Sequence, residues 1–285
     1  VKRDFRLILA ATPIGNLQDA SDRLKQVLAS ADVIAAEDTR RARQLCNGLG
    51  IEPSGRFVSY YDQNEASRVP ELLEALAAGL QVLVISDSGM PTVSDPGYRI
   101  AEAAASLGIE YTVLPGPSAV TTALALSGLP TDRFTFEGFL PRKSGERCTY
   151  LEQLAPLPHT LVFFESPHRV VESLADMIKV FGPARAAVMC RELTKTFEEA
   201  RRGTLQELHD SLLGSEILGE VTLVVSGFAG VSDSETVDAL VALEMLIAQG
   251  VERKQAQTEV MQRFGISKRD LFDLQVADKR KPVEP

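Results

Sequence analysis

The run Val82-Leu83-Val84-Ile85-Ser86-Asp87-Ser88-Gly89-Met90-Pro91-Thr92-Val93-Ser94-Asp95-Pro96-Gly97 decides the fold. Its first four residues are Val, Leu and Ile without alternation, the pattern of a short strand buried on both faces. Polarity changes abruptly at Ser86. Small polar side chains and backbone N–H groups then gather at the strand's carboxyl end, the edge at which open parallel sheets hold ligands. Ser94-Asp95-Pro96 reads as a helix start, with Asp95 as N-cap and Pro96 at the first helical position, and an Ala-rich helix runs on to a stop at Gly108. A plain strand-to-helix turn needs one glycine and one cap. Two Asp, two Gly, two Pro and three Ser exceed that need and mark a ligand-binding loop.

Working outward, the same alternation recurs. Phe5–Ala11, Val33–Ala36, Arg56–Ser59 and Tyr111–Leu114 read as strands, and each is followed by a polar cluster: Thr12–Asn16, Glu37–Arg40, Tyr60–Glu65 and Pro115–Ser118. Helical spacing appears at Leu24, Val27 and Leu28, in an Arg-rich helix to Leu49 capped by Asp38 or Thr39, and at Val69, Leu72, Leu73, Leu76 and Leu80. Five strands alternating with helices predict a parallel α/β sheet whose polar clusters share one edge. Ser127–Thr131 breaks the pattern. Beyond it, Phe134–Glu137, His159–Phe164, Ala186–Cys190 and Val221–Val225 read as strands, Val170–Val180 as a helix, and Thr204-x-x-Glu207 as a capping box. The expected domains are 1–128 and 129–230, both α/β, the second with a mixed sheet. A small helical domain is expected over 231–285, after the linker Gly230–Ser234. There Val237, Leu240, Leu243 and Ile247 form one stripe, and Ala256, Val260 and Phe264 another that stops at Gly265. Ser267 caps a last helix to Leu274.

Composition narrows the class. A chain of 285 residues, 45% hydrophobic and 24% charged, buries a full core. No apolar run approaches the roughly 20 residues that span a bilayer. Three distant cysteines and an N-terminus without a cleavage-site pattern lead to the expectation of a cytoplasmic protein with reduced thiols. Three histidines speak against a His-rich metal centre, and no metal is expected. The net charge of −9 counts against a general nucleic-acid binder. Local basic clusters remain, at Arg40-Arg41-Arg43, at Arg142-Lys143-Arg147 and around Arg253, Lys254, Lys268, Arg269 and Lys279–Lys281.

Phosphate-loop, dinucleotide and nucleophile-elbow motifs are all missing. Asp87 and Asp95 leave a paired-carboxylate hydrolase open. The polar edge suits a ligand with hydroxyls, an amine and a carboxylate, and S-adenosylmethionine is one such molecule among others.

Seven segments occur in order: Thr12–Leu17, Ala36–Arg40, Ser86–Pro91 with Asp95–Gly97, Leu114–Ser118, Phe136–Pro141, Glu165–Arg169 and Arg191–Lys195. Together they resemble the small-subunit ribosomal RNA 2′-O-ribose methyltransferases of the tetrapyrrole-methylase superfamily over about residues 5–280. The resemblance implies a bilobal fold, with two α/β domains and the S-adenosylmethionine cleft between them, plus the C-terminal helices. It implies methylation of a cytidine ribose in the decoding centre of 16S rRNA, on the 30S particle, by a homodimer. It places Pro13, Ile14 and Gly15 against the methionine part and Asp87, Ser88, Gly89 and Met90 at its polar end. Asp87 is expected to stand alone among small residues and face the ligand, with Ser118 and Ala119 on the nucleoside side. One departure is notable: Tyr61-Asp62-Gln63-Asn64-Glu65 stands where relatives often carry His-x-His-Asn-Glu. Ser88 and Met90 also stand where Ala and Thr are common. A base or cation assisting the acceptor hydroxyl is sought on the second-domain loops, at Lys143, Glu165, Arg169 or Lys195, with His168 and Glu192 nearby. Glu165 with Arg169 reads equally as a structural ion pair. A corrin- or sirohaem-pathway C-methyltransferase, or a catalysis-free RNA-binding protein, are the competing readings.

Overall fold

The computed structural model describes residues 5–228, 233–264, 271–272 and 275–276. Its contacts divide the chain into two compact units, Val1–Thr122 with Leu193–Thr196, and Ala123–Glu192 with Phe197–Pro285.

The first unit is built on β1 (Leu7–Ala10), β2 (Val33–Ala36), β3 (Arg56–Ser59), β4 (Val82–Ile85) and β5 (Tyr111–Leu114). They form one sheet in the order β3-β2-β4-β1-β5, and every pairing is parallel. Central β4 sets Val82 opposite both Leu7 and Val33. Helices α1 (Asp22–Ser30), α2 (Thr39–Gly48), α3 (Glu65–Ala77), α4 (Tyr98–Ser106) and α5 (Ala119–Ser127) link or follow the strands, α5 crossing the division between the units. Val82 and Val84 join one core with Leu72, Leu76 and Ile100, while Leu83 and Ile85 join another with Leu24, Leu28 and Cys46. Apolar side chains are therefore required on both faces, which is why the strand shows no alternation.

The caps of α1 and α2 follow local chemistry, and that of α4 does not. Ser21 caps α1, and Asp38, rather than Thr39, caps α2 by accepting from the Arg40 amide at 2.8 Å. The expected cap at Asp95 is not made. The α4 helix begins at Tyr98, its N-cap is Gly97 at φ 131°, and Asp95 is instead hydrogen-bonded to Ser86. Glu65, from the start of α3, accepts the Gly97 and Arg99 amides at 2.8 and 3.1 Å. Leu80 lies past the end of α3 and is exposed.

The second unit carries β6 (Phe134–Phe139), β7 (Thr160–Glu165), β8 (Ala186–Arg191), β9 (Glu199–Thr204) and β10 (Val221–Val225), in the order β6-β7-β10-β8-β9. Only β6 and β7 pair in parallel, so this sheet is mixed, as expected. Its helices are α6 (Ser144–Leu154), α7 (Val170–Phe181) and α8 (Leu205–Leu212), the last opened by the Thr204–Glu207 capping box. The sequence reading passes over β9 and α6. Strand β9 reads Glu-Ala-Arg-Arg-Gly-Thr, an edge with no apolar run, and is held to β8 partly by an Arg191–Glu199 ion pair at 3.1 Å. Arg147, expected with Arg142 and Lys143 on a basic surface, is buried. Its guanidinium meets Asp176 of α7 at 2.7 Å and donates to the carbonyls of Pro141 and Arg142. Burial pushes the Asp176 carboxyl up, but hydrogen bonds from Lys179, Ser144 and Arg147 outweigh it and hold it at about 2.

Helices α9 (Asp233–Ala248) and α10 (Arg253–Phe264) share a small core of Ala239, Leu243, Ala256, Val260 and Leu271. Asp233 and Ser234 of the expected linker open α9, and Ile247 of the expected stripe is exposed. Gly230, Gly265, Ser267, Lys268, Arg269, Leu274 and Lys279–Lys281 lie outside the described residues.

Removing Arg147 takes the buried guanidinium from the Asp176 carboxylate and leaves it Lys179 and Ser144. Arg147→Ala is expected to cost about 3–5 kcal/mol, the range for breaking a buried pair. A urea titration followed by tryptophan-free far-UV circular dichroism checks this, through a lower unfolding midpoint.

Candidate functional site

The parallel sheet of the first unit brings the segments after β1, β2, β3, β4 and β5 to its carboxyl edge. Two of them, those after β1 and β4, are knitted through main chain. The Thr12 amide donates to the Gly89 carbonyl at 2.8 Å, and the Gly89 amide returns a bond to Thr12 at 3.2 Å. Both the Thr12 and Ser86 hydroxyls lie within hydrogen-bonding distance of the Gly89 carbonyl, Ser86 at 3.2 Å. Gly89 has φ 83°, and a Cβ built on it lies 3.3 Å from Ile14 Cγ2 and 3.8 Å from the Pro117 carbonyl. A Cβ on Gly116 would stand 3.0 Å from the Ala11 Cβ. Ile14, Gly89 and Pro117 are thus neighbours, with bare main chain among them, and Pro13 precedes Ile14 in the chain. Ser118 directly precedes α5, and its carbonyl accepts the Thr122 amide at 3.0 Å. Ala119 is the first residue of that helix.

Carboxylates flank this junction. Asp87 does not stand alone, contrary to the sequence expectation. Its Oδ1 accepts the Asp38 amide at 2.9 Å, and its Oδ2 lies 3.3 Å from the exposed guanidinium of Arg41. The Asp87 amide reaches Glu37 Oε2 at 3.5 Å. Burial raises the proton affinity of Asp87, against the pull of the Asp38 amide and Arg41. Burial likewise raises Glu37, with Asp87 adding to the effect. Asp95 is pushed up to about 7, first by burial and then by Glu37, with Asp87 and Asp62 adding to it and the Ser86 hydrogen bond opposing. Between Asp87 and Asp95 the chain passes through Thr92 at φ 79° and Ser94 at φ 61°, a left-handed backbone uncommon outside glycine. The sequence gives Glu37 and Asp62 no role of their own and names Asp95 only as a cap or as half of a carboxylate pair with Asp87. Their positions in polar clusters after β2, β3 and β4 were the available signal.

The candidate catalytic residues separate. Lys195 falls in the segment Leu193–Thr196 that belongs to the first unit. A Cβ on Gly15 would strike Lys195 Cγ and lie 2.8 Å from Thr194 Oγ1, and the Asn16 amide donates to Thr194 Oγ1 at 3.1 Å. Lys143, Glu165 and Arg169 belong to the second unit. The Glu165 side chain is wholly buried. It pairs with Arg169 at 2.6 Å, accepts the Ser173 hydroxyl at 2.6 Å and takes its own neighbour's amide, Ser166, at 2.7 Å. Arg169 also donates to the Leu140 carbonyl. The ion pair that the sequence allows between Glu165 and Arg169 is thus formed. Lys143 is exposed and pairs with Glu146 at 2.9 Å. Among the described residues no group of three or more His, Cys, Asp or Glu is placed to hold a metal ion, and no helix is long and apolar enough to cross a membrane.

This donor set suits a compact ligand. Carboxylates are present for an ammonium or hydroxyls, and bare main chain is available for close contact with its body. Comparison with known proteins fits the arrangement. A family model described as tetrapyrrole (corrin/porphyrin) methylases matches residues 6–209. A Mycobacterium tuberculosis protein named ribosomal RNA small subunit methyltransferase I is 48% identical over 284 residues, covering 98% of this chain and 99% of that protein. A Pseudomonas aeruginosa protein of the same name is 40% identical over 93% of this chain and 95% of its own length. Among solved structures, the methyltransferase CobJ has a TM-score of 0.59 at 21% identity, over 79% of this chain and 95% of that one. A Thermus thermophilus uroporphyrin-III C-methyl transferase complexed with S-adenyl homocysteine has a TM-score of 0.55 at 18% identity, over 78% and 97%. These structural likenesses establish the fold.

The Asp95 carboxyl gives a pH signature. Its folded value is raised to about 7 from an ordinary 3.8. In the interval between those values the unfolded chain ionises while the folded one holds its proton, so stability falls as pH rises through that window, by up to about 1.4 kcal/mol per unit. Asp95→Asn is expected to flatten the fall in melting temperature between about pH 4 and 7 and to raise it at pH 8. Parallel thermal melts at several pH values check both.

Proposed function

The chain belongs to the ribosomal RNA small subunit methyltransferase I family of the tetrapyrrole methylases, and on that premise we propose that it methylates the ribose 2′-hydroxyl of a decoding-centre cytidine in 16S rRNA, using S-adenosylmethionine. The observation that carries the reading is the 48% identity over 98% of the chain to a protein named for ribosomal RNA. The methyltransferase CobJ, at 21% identity, shares the fold alone.

When bound, S-adenosylmethionine supplies a methyl group already activated on a sulfonium, so the protein's task is chiefly positioning. Pro13, Ile14, Ser88, Gly89 and Met90 form the wall against which the cofactor rests, with Ser118 and Ala119 beside its nucleoside. Asp87 takes the ammonium or a hydroxyl. Arg41, its present ion-pair partner, is exposed and held weakly enough to yield. Glu37 and Asp95 add negative field, which favours a positively charged ligand. Of the four catalytic candidates, Lys195 is the one we place at the chemistry, because it lies against Gly15 of the first loop. Its amine would assist the acceptor hydroxyl or steady an adjoining phosphate. Glu165 and Arg169 fix the loop that carries Lys143, whose exposed ammonium suits an RNA phosphate. The 30S particle as substrate, a homodimer as the working form, a cytoplasmic location and RNA contact by the basic C-terminal helices complete the proposal.

The deciding experiment incubates the protein with undermethylated 30S particles and S-adenosylmethionine and maps ribose methylation along the RNA. One new 2′-O-methylcytidine in the decoding centre is expected, and base methylation or none at all would refute the reading. Asp87→Ala is expected to weaken S-adenosylmethionine binding about ten- to a hundredfold, the loss of one charge-assisted hydrogen bond, as read by calorimetry. Lys195→Ala is expected to lower kcat by about a hundredfold or more while calorimetry shows cofactor affinity unchanged. A change in cofactor affinity alone would move Lys195 out of the chemistry.

A further inference from the structure

We propose that Glu65 is a positioning residue for the cofactor: its buried carboxylate caps α4 in place of Asp95 and so leaves Asp95 available to the ligand site, an inference that rests on these loops being the S-adenosylmethionine site.

The local sequence offers α4 a cap of its own. Ser94-Asp95-Pro96 carries the residues that cap helices well. The fold leaves that option unused. Ser94 and Thr92 take left-handed backbone conformations, Pro96 and Gly97 are buried, and the helix starts later, at Tyr98, behind a glycine cap that has no side chain. Strain of this kind persists only where the surroundings over-determine the backbone.

Glu65 is what over-determines it. The residue is 7% exposed, and its Oε1 accepts from the Gly97 amide at 2.8 Å, the Arg99 amide at 3.1 Å and the Tyr60 hydroxyl at 2.8 Å. Its Oε2 lies 3.5 Å from the Arg99 guanidinium. A buried carboxylate is costly unless its lone pairs are met, and here they are met by the amides a helix N-terminus leaves open. Tyr60 is fully buried, and burial, then the bond to Glu65, holds its hydroxyl well above the ordinary tyrosine range, so it remains a donor. The negative charge at the α4 N-terminus therefore comes from a residue at the start of α3. With that place filled, Asp95 faces Ser86, with Glu37 and Asp87 near enough to raise its proton affinity. The cluster Tyr60–Glu65, which the sequence marked without a role, thus acts through the shape of the loop that follows β4.

The test compares the full-length parent with Glu65→Ala, Glu65→Gln and Tyr60→Phe. Calorimetry gives cofactor affinity, and kinetics on 30S particles give the KM of each substrate. Without Glu65, Asp95 is free to swing back and cap α4. Glu65→Ala is expected to raise the Kd and KM for S-adenosylmethionine about ten- to a hundredfold, with the KM for 30S within about twofold. Glu65→Gln keeps the Oε1 acceptor and is expected to recover affinity to within about threefold of the parent, while Tyr60→Phe, losing one of three donors, weakens it about three- to tenfold. Unchanged cofactor affinity in folded Glu65→Ala overturns the inference, as does a glutamine variant no better than alanine. If the alanine variant does not fold, the glutamine and phenylalanine variants decide by the same measures. A parent that binds no S-adenosylmethionine refutes the cofactor reading itself and the positioning role with it; a parent that binds it beside an unaffected alanine variant refutes the positioning role alone.

Discussion

Parallel pairing of β4 with both β1 and β2 is the constraint from which the rest of the first unit follows. Ile85 stands opposite Ala10 and Ala36, so the three strands end at the same level. Ser86, Ala11 and Glu37 then begin their loops side by side, and polar groups far apart in sequence meet without any element bending to bring them together. The pairing holds because β4 buries all four of its side chains, two on each face. At about 1.5–3 kcal/mol per large apolar side chain, that burial is large beside any single polar contact at the edge. The hydrophobic term fixes the sheet, and the sheet fixes the site.

The carboxylates sort by environment into two kinds. Glu65, Glu165 and Asp176 are buried and hydrogen-bonded to amides, hydroxyls or guanidinium groups, and each ties its own element to a neighbouring one. Glu37, Asp87 and Asp95 are less completely compensated, and burial raises the proton affinity of all three. A carboxylate that structure has satisfied gains nothing from a ligand, whereas one held at a cost gains from a cation. Carboxylates perturbed in this way cluster at binding sites.

The inner strands were legible in the sequence because burial on both faces writes an unmistakable run, and the partly exposed edge strands Arg56–Ser59 and Tyr111–Leu114 showed as short runs ahead of polar clusters. Val33–Ala36, Arg56–Ser59, Val82–Ile85, Tyr111–Leu114 and Val221–Val225 lie where the pattern puts them. Strand β9 was not legible, since a polar edge strand is made by its neighbour rather than by its own residues. Arg147 misled for a related reason: a lysine-arginine cluster looks like surface until a partner 29 residues away, Asp176, is seen to bury one member. Asp95 misled because the capping preference is local and real, yet a distant carboxylate outcompeted it.

The glycine of the first loop shows how far such long-range contacts reach. Gly15 is not among the glycines with positive φ, so its backbone would accept an L side chain. What forbids one is space: a Cβ there meets Lys195 Cγ, Thr194 Oγ1 and the Leu193 carbonyl. The glycine is therefore a seat for a chain segment some 180 residues later, and its reason lies in contact rather than conformation. A glycine in a loop after the first strand invites a phosphate or dinucleotide reading, but no such motif surrounds it here. Its absent side chain makes room for a lysine that belongs to the same unit as the first loop.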